Sequence, residues 1–134
     1  PPSYPPVIPH LLRQVQTGGS QVIFGDGTQT RDFVYVDDVV DALMLAATAT
    51  EGNRAVINIG SGQEVQIRDL AARIAKIAGK QADVLHNSGQ PVGVSRLVAD
   101  VTTAHRLLDW VPRTGLDQGL RLTLERDPRF QQDH

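Results

Sequence analysis

The sequence contains no cysteine, few aromatic residues and no excess of basic residues. Without cysteine, disulfides, thiolate metal sites and cysteine nucleophiles are excluded. Aromatic residues make up only 4% of the 134 residues, and the 13 lysines and arginines are outnumbered by 15 aspartates and glutamates. A nucleic-acid-binding protein needs a basic surface, often with aromatic rings for base stacking. We therefore expect no nucleic-acid partner.

The sequence also lacks long apolar runs and an initiator methionine. No apolar run approaches the length of about 20 residues that a membrane-spanning helix requires. The proline-rich start has neither the charged nor the apolar region of a signal peptide. We therefore expect a cytoplasmic protein without a membrane partner. Since residue 1 is a proline, we also expect the chain to be part of a longer protein.

Hydrophobic periodicity predicts five helices connected by short strands and loops. The helices are predicted at residues 7–17, 37–48, 67–78, 101–108 and 115–126, and the last residues, from Asp127, are expected to fray. Strands are predicted at residues 21–24, 33–36, 55–59 and 82–86, and the third has the apolar composition of a buried strand in a parallel sheet. This order predicts an α/β or α+β fold of one domain, residues 1–134.

Residues 20–42 contain a turn followed by an arginine. The strand predictions at 21–24 and 33–36 bracket a turn at residues 25–28, and Arg31 follows the turn. One interpretation is a β-hairpin with a solvated arginine. The other is an anion-binding arrangement, in which free backbone groups of the turn act together with a guanidinium. Asp37 is predicted to cap the next helix, which buries apolar residues, and Asp38 adds negative charge to its first turn. The predicted buried set is Val39, Val40, Leu43, Ala46 and Ala47.

No catalytic or metal-binding motif is present. Gly60-Ser61-Gly62 follows a predicted strand, but Val65 stands where a dinucleotide fingerprint has its third glycine. Tyr4 and Tyr35 have no lysine four residues later, and no serine lies in a nucleophile elbow. The histidines have no metal-ligand spacing; they are His10, His86, His105 and His134. The chain by itself therefore offers no predicted catalytic residue and no metal site.

Five segments resemble the NAD-dependent epimerase/dehydratase family, the extended short-chain dehydrogenases that act on nucleotide sugars. They read GDGTQTRDFVYVDDV at 25–39, VINIGSG at 56–62, IRDLA at 67–71, ADVTTA at 99–104 and LLDWVP at 107–112. The order and spacing of the segments agree with the family over nearly the whole chain.

The resemblance is to the C-terminal, substrate-binding portion of these enzymes. It implies an α/β fold of short strands with about five helices, in which the N-terminal Rossmann half is missing. That half carries the glycine-rich NAD loop and the Tyr-x-x-x-Lys pair of the family, and this sequence has neither. The resemblance thus implies NAD as the cofactor of the full-length enzyme, with no cofactor expected for this chain alone.

The resemblance also implies which residues hold the substrate, a UDP- or dTDP-linked sugar. The family residue at the position of Arg31 commonly binds the diphosphate. Val22 and Phe24 match the segment that lies along the nucleobase, and Ile8 matches a segment that lines the same pocket.

One departure from the family concerns the second phosphate arginine. Family members often have Arg-Pro-Gly-Asp where this sequence has Gln90-Pro91-Val92-Gly93, so the arginine and the carboxylate are both absent. Gln90 takes the place of that arginine, and Arg96 is a possible substitute.

These observations leave three functions open. The first is the substrate-binding part of a UDP-glucose 4-epimerase-like enzyme, either an isomerase or a lyase, that is inactive without its other half. The second is a non-catalytic module that binds a nucleoside diphosphate. The third is a truncated structural fragment that associates with itself, which would make the chain a homo-oligomer.

Overall fold

The computed structural model of the chain describes residues 5–50, 54–89 and 91–131. Within these ranges the elements follow the order α1 (Val7–Gln16), β1 (Gln21–Phe24), β2 (Thr30–Arg31), α2 (Val36–Thr48), β3 (Val65–Gln66), α3 (Ile67–Ile77), β4 (Val84–Asn87), α4 (Thr102–Leu108) and α5 (Leu116–Arg126). The predicted α/β fold of short strands and about five helices is confirmed. No helix in these ranges is both long enough and apolar enough to cross a membrane.

The chain forms two compact units. The first unit comprises the described residues within Pro1–Gln29, Gln66–Ser95 and Leu120–His134, and the second those within Thr30–Val65 and Arg96–Gly119. Both units are therefore built from segments that are distant in the sequence.

The first unit is a small parallel sheet covered by helices. β1 pairs in parallel with β4, in a register that runs from Gln21 opposite Val84 to Phe24 opposite Asn87. α1 and α3 contact each other and β1. Their apolar stripes recur at helical spacing, which places every inward side chain in one core. The fully buried members are Leu11, Leu12, Leu70 and Ile74.

The C-terminal residues of the described chain are part of the first unit. Phe130 is buried, and its carbonyl oxygen accepts a 2.8 Å hydrogen bond from Nε2 of Gln16 in α1. The prediction that the chain frays from Asp127 is therefore wrong for residues 127–131. The aromatic ring supplies the buried apolar area that a purely polar tail would lack.

The second unit has a core of α2, α4 and one tryptophan. Ala42, Ala104, Leu108 and Trp110 form its buried cluster. The indole Nε1 of Trp110 donates a 3.0 Å hydrogen bond to the backbone oxygen of Asp38, so the ring is held against the first turn of α2.

Asp38 is buried and joins α2 to the segment after α4. Its carboxylate accepts hydrogen bonds from the backbone N–H groups of Arg113, at 3.1 Å, and Thr114, at 2.9 Å. The N-cap residue of α2 is Tyr35, whose side chain makes no capping hydrogen bond. The prediction that Asp37 is the cap is therefore wrong, although Asp37 and Asp38 both lie in the first turn, where the helix dipole favours negative charge.

The hairpin interpretation of residues 20–42 is wrong. β1 pairs with β4, and the next strand is the two-residue β2, which forms a separate two-stranded sheet with β3. Residues 33–35 are extended but lie outside any strand, and Val36 already belongs to α2. Aromatic and β-branched residues favour a strand, but a strand also needs a neighbour, and among the described residues none pairs with 33–35.

The buried strand predicted at residues 55–59 is also absent from the second unit. These residues have no strand partner within the described ranges, and Val56 is 90% exposed. The residues predicted to be buried in α2 are likewise mostly exposed: Leu43, for example, is 65% exposed, and the residues that α2 does bury are Asp38 and Ala42. Apolar sequence alone did not indicate which face of α2 meets the core.

Candidate functional site

The turn at residues 25–28 lies in the first unit, and its backbone groups are largely occupied. The N–H of Gly25 donates to the oxygen of Asn87 at 2.9 Å, and the N–H of Thr28 donates to Oδ1 of Asp26 at 3.0 Å. The Thr28 hydroxyl donates to the same Oδ1 at 2.6 Å, and these bonds hold the pKa of Asp26 below its ordinary value. The prediction of free backbone groups for an anion is therefore wrong for Gly25 and Thr28.

Gly27 allows this turn to approach α3 closely. A Cβ atom at this position would lie 2.6 Å from Cδ1 of Ile23 and 2.9 Å from Cβ of Arg68, and its φ angle of +76° is in the left-handed region. The Gly27 oxygen accepts the Arg68 N–H at 3.0 Å. The glycine therefore serves packing in the first unit, since any side chain would push α3 away from β1.

Two glutamines occupy the backbone of β1 at the predicted nucleobase segment. The N–H of Val22 donates to Oε1 of Gln14 at 3.0 Å, and the oxygen of Phe24 accepts from Nε2 of Gln29 at 2.9 Å. In a parallel ladder the backbone groups of successive residues face opposite sides. Gln21 and Gly25 bond toward β4, so the groups of Val22 and Phe24 lie on the side away from β4. Sequence reasoning missed both glutamines, because nothing in the sequence indicates which backbone group a glutamine side chain binds.

The other predicted residues are divided between the units. Ile8, Val22 and Phe24 lie in the first unit, and each is half-buried. Arg31 and Arg96 lie in the second unit. Gln90 lies outside the described residues.

Arg31 is half-buried and keeps most of its hydrogen-bonding capacity. One guanidinium nitrogen, Nη1, donates a 2.7 Å bond to the oxygen of Thr30. Within the described part of the chain, no carboxylate lies within ion-pair distance of this guanidinium. Arg31 is therefore a fixed cation with further N–H donors and without a counter-ion among these residues.

Thr30 brings Arg96 to the same place in the second unit. Residues Thr30 and Arg96 form an isolated parallel bridge, in which the Thr30 oxygen accepts the Leu97 N–H at 3.2 Å. Glu64 completes the group: Oε2 accepts from the Thr30 hydroxyl at 3.1 Å, and Oε1 accepts from Nε of Arg96 at 2.7 Å. Nη2 of Arg96 pairs with the same Oε1. The side-chain hydrogen bond from Arg96 is the main cause of the lowered pKa of Glu64.

Asp32 ties together three stretches of the second unit. Its carboxylate accepts four hydrogen bonds: from the N–H and the hydroxyl of Ser61 at 2.7 and 2.6 Å, from the Gly62 N–H at 2.9 Å and from the Ala99 N–H at 3.1 Å. Partial burial works against ionisation, but these bonds outweigh it and hold the pKa of Asp32 below its ordinary value of 3.8. Arg31 thus precedes a residue whose position is strongly constrained.

The Gly60-Ser61-Gly62 turn is shaped around this carboxylate. A Cβ atom on Gly60 would lie 2.5 Å from Cβ of Ala99 and 2.7 Å from Oδ2 of Asp32. The N–H groups of Ser61 and Gly62 bind Asp32, whereas the N–H groups of a phosphate-binding glycine-rich loop face the phosphate. Asp32 lies in the 25–39 segment that resembles the family, but the sequence did not indicate which groups its carboxylate binds.

The second unit also contains a shallow pocket next to α2. It has a volume of about 240 Å³ and is lined by Asp41, Met44, Leu45, Asp109, Trp110, Val111 and Arg113. None of the residues predicted to bind substrate lines it.

Comparison with known proteins identifies the family. Residues 2–60 match the profile of the NAD-dependent epimerase/dehydratase family. The GDP-L-fucose synthase of Escherichia coli is 36% identical in an alignment that covers 96% of this chain and 45% of that protein. The chain belongs to the NAD-dependent epimerase/dehydratase family. The family predicted from the five sequence segments is confirmed.

Other members of the NAD-dependent epimerase/dehydratase family agree in sequence and fold. The UDP-glucose 4-epimerase of Mycolicibacterium smegmatis is 36% identical over 108 residues, which cover 81% of this chain and 34% of that protein. The structure of a UDP-glucose 4-epimerase with UDP-glucose from Thermotoga maritima has a TM-score of 0.83 and 33% identity, covering 90% of this chain and 38% of that one. The chain thus spans less than half the length of these relatives and aligns with their C-terminal part.

Proposed function

We propose that this chain is the substrate-binding part of an NAD-dependent nucleotide-sugar epimerase or dehydratase and that Arg31 binds the diphosphate. The observation that carries the proposal is the state of the Arg31 guanidinium. It is half-buried, is held by one bond to Thr30, and has no carboxylate partner among the described residues. A planar guanidinium with donors to spare suits two adjacent phosphate groups.

On the family resemblance, Ile8, Val22 and Phe24 are proposed as the nucleobase contacts. Because the N–H of Val22 and the oxygen of Phe24 already bond to Gln14 and Gln29, the apolar side chains are the groups with contact area to offer. The proposal does not specify the base, because the relatives include both a GDP-L-fucose synthase and a UDP-glucose 4-epimerase.

The diphosphate role is tested by calorimetric titration of the chain with UDP, dTDP and GDP. A charge-assisted bond contributes on the order of 1.5–3 kcal/mol, so Arg31→Ala should weaken the binding of the preferred nucleotide roughly ten-fold or more. Arg13→Ala, which removes an exposed arginine from α1, is the matched control and should leave affinity unchanged. Equal affinities of wild type and Arg31→Ala would refute the proposal.

The chain alone is proposed to be catalytically inactive. In this family the redox chemistry belongs to NAD, and the sequence has no Tyr-x-x-x-Lys pair. With added NAD and a UDP-, dTDP- or GDP-linked sugar, the chain is expected to show no turnover by chromatography of the sugar nucleotides. Measurable epimerisation or dehydration by the purified chain would overturn this prediction.

A second candidate is a chain that associates with itself and binds no nucleotide. The exposed apolar residues of the second unit favour it, especially Leu43, Met44 and Val56. Light scattering coupled to size-exclusion chromatography decides this candidate. A concentration-dependent dimer that Leu43→Lys dissociates supports it, and a monomer at all concentrations excludes it.

A further inference from the structure

We propose that Glu64 is an internal anion that competes with the ligand for Arg96. Arg96 then binds a phosphate group only when that group displaces Glu64, whereas Arg31 is available at all times. The inference rests on the proposed function, because the displacing anion is the diphosphate of the nucleotide.

The contact geometry carries the first step of the argument. Nε and Nη2 of Arg96 both point to Oε1 of Glu64, with Nε at 2.7 Å. These two nitrogens form one edge of the guanidinium, the edge through which an arginine grips two oxygens of a carboxylate or phosphate. That edge is therefore occupied in the ligand-free chain.

Thr30 keeps the competitor in place. The Thr30 hydroxyl donates to Oε2 of Glu64 at 3.1 Å, while the Thr30 backbone oxygen accepts from Arg31. Thr30 thus contacts Arg31 through its backbone oxygen and Glu64, the partner of Arg96, through its hydroxyl. The two arginines near Thr30 therefore differ in their partners: Arg96 binds a carboxylate, and Arg31 binds a backbone oxygen.

Exposure indicates that the Arg96–Glu64 pair can exchange. The two side chains are 66% and 36% exposed, and ion pairs at such positions contribute little to stability. A diphosphate carries more negative charge than one carboxylate, so it can take the place of Glu64 at low cost. Glu64 then lowers the affinity of the chain for every phosphate ligand, and it lowers the affinity for weakly charged anions most.

The opposite role for Glu64 makes the opposite prediction. If Glu64 positioned Arg96 for the ligand, removing its charge would release Arg96 and weaken binding. If Glu64 competes, removing its charge strengthens binding. The sign of the change in affinity therefore separates a competitor from a positioning residue.

The test is a double-mutant cycle with Glu64→Gln and Arg96→Ala, using UDP and calorimetry at constant ionic strength. Glu64→Gln should tighten UDP binding about three-fold or more, since it frees a charge-assisted contact. In the Arg96→Ala background the same change should alter affinity by less than about two-fold, because no guanidinium remains to be freed. Glu64→Ala, a second way to remove the charge, should reproduce the gain.

A matched control removes a carboxylate from another arginine pair. Asp69 lies 4.0 Å from Arg68 on α3, with both side chains more than half exposed. Asp69→Asn changes the net charge by the same amount as Glu64→Gln and should leave UDP affinity unchanged. Unchanged or weaker binding by Glu64→Gln, while Arg31→Ala still weakens binding as predicted above, overturns the inference and leaves the proposed function intact.

A second readout does not depend on a nucleotide. The Nε–H NMR signal of Arg96, assigned by its loss in Arg96→Ala, is followed during titration with inorganic pyrophosphate. The inference predicts that the signal moves at lower pyrophosphate concentration in Glu64→Gln than in wild type. If none of UDP, dTDP and GDP binds either protein, the proposed function fails, and the pyrophosphate titration still decides the competition: equal responses of wild type and Glu64→Gln refute it.

Discussion

The first unit buries the apolar faces of its helices, whereas the second unit leaves much of its longest helix exposed. Leu11 and Leu12 of α1 and Leu70 and Ile74 of α3 are fully buried around β1. In α2 of the second unit, Leu43 is 65% exposed, and the buried residues are Asp38 and Ala42. An apolar side chain therefore indicates the core only where another element is available to cover it.

The second unit depends instead on two carboxylates that bind backbone N–H groups. Asp32 binds Ser61, Gly62 and Ala99, and Asp38 binds the segment after Trp110. Each carboxylate connects stretches that are distant in sequence. The comparison suggests that hydrophobic substitutions affect the first unit most and carboxylate substitutions the second.

The largest expected effect is that of a cavity in the first unit. Leu12→Ala should lower the free energy of unfolding by about 2–5 kcal/mol, because it empties a fully buried site. The same truncation in the second unit, Leu43→Ala, should change it by less than about 0.5 kcal/mol. Urea denaturation measures both, and equal losses would contradict the difference in burial.

A smaller loss is expected when a carboxylate is removed from the second unit. Asp38→Ala should cost about 1–3 kcal/mol, since the N–H groups of Arg113 and Thr114 lose their buried acceptor. Asp41→Ala, at an exposed position of the same helix, is the control and should be close to neutral. Should the two variants unfold at the same urea concentration, the role of Asp38 as a link would be disproved.

The smallest expected effect is the contribution of Asp32 to the pH dependence of stability. Its pKa is lower in the folded chain than the ordinary 3.8, so its contribution to stability is present above that value. The contribution is lost as pH falls below 3.8 and through the folded pKa. Urea midpoints between about pH 6 and pH 2 should therefore fall less steeply for Asp32→Asn than for wild type. Parallel curves would show that the Asp32 bonds do not contribute.

The helices were predictable from sequence because their signal is local. α3 was expected at 67–78 and lies at Ile67–Ile77; α1 and α5 agree with prediction equally closely. Their apolar stripes and terminal glycines depend only on residues within a few turns. The prediction of β1 was also right, but its partner was not, since β4 lies some 60 residues further along the chain.

The candidate site was predicted less completely. Arg31 and Arg96 were selected by resemblance, and the structure adds that both lie next to Thr30. Glu64, Gln14 and Gln29 were missed because a polar residue in a loop or on a helix carries no sign of its partner. Their roles exist only through contacts across long stretches of chain.

By itself the sequence determined the family, the α/β class, the helix positions and the absence of cysteine chemistry. The tertiary structure decided which apolar residues are buried, which strand pairs with β1, and which carboxylates bind backbone or arginine. The physical reason is range: helical periodicity is a property of neighbouring residues, whereas burial, strand pairing and charge neutralisation depend on residues that only folding brings together. Arg96 pairs with Glu64, whereas Arg31 has no carboxylate partner among the residues that the structure describes, so two arginines that are alike in sequence differ in the folded chain.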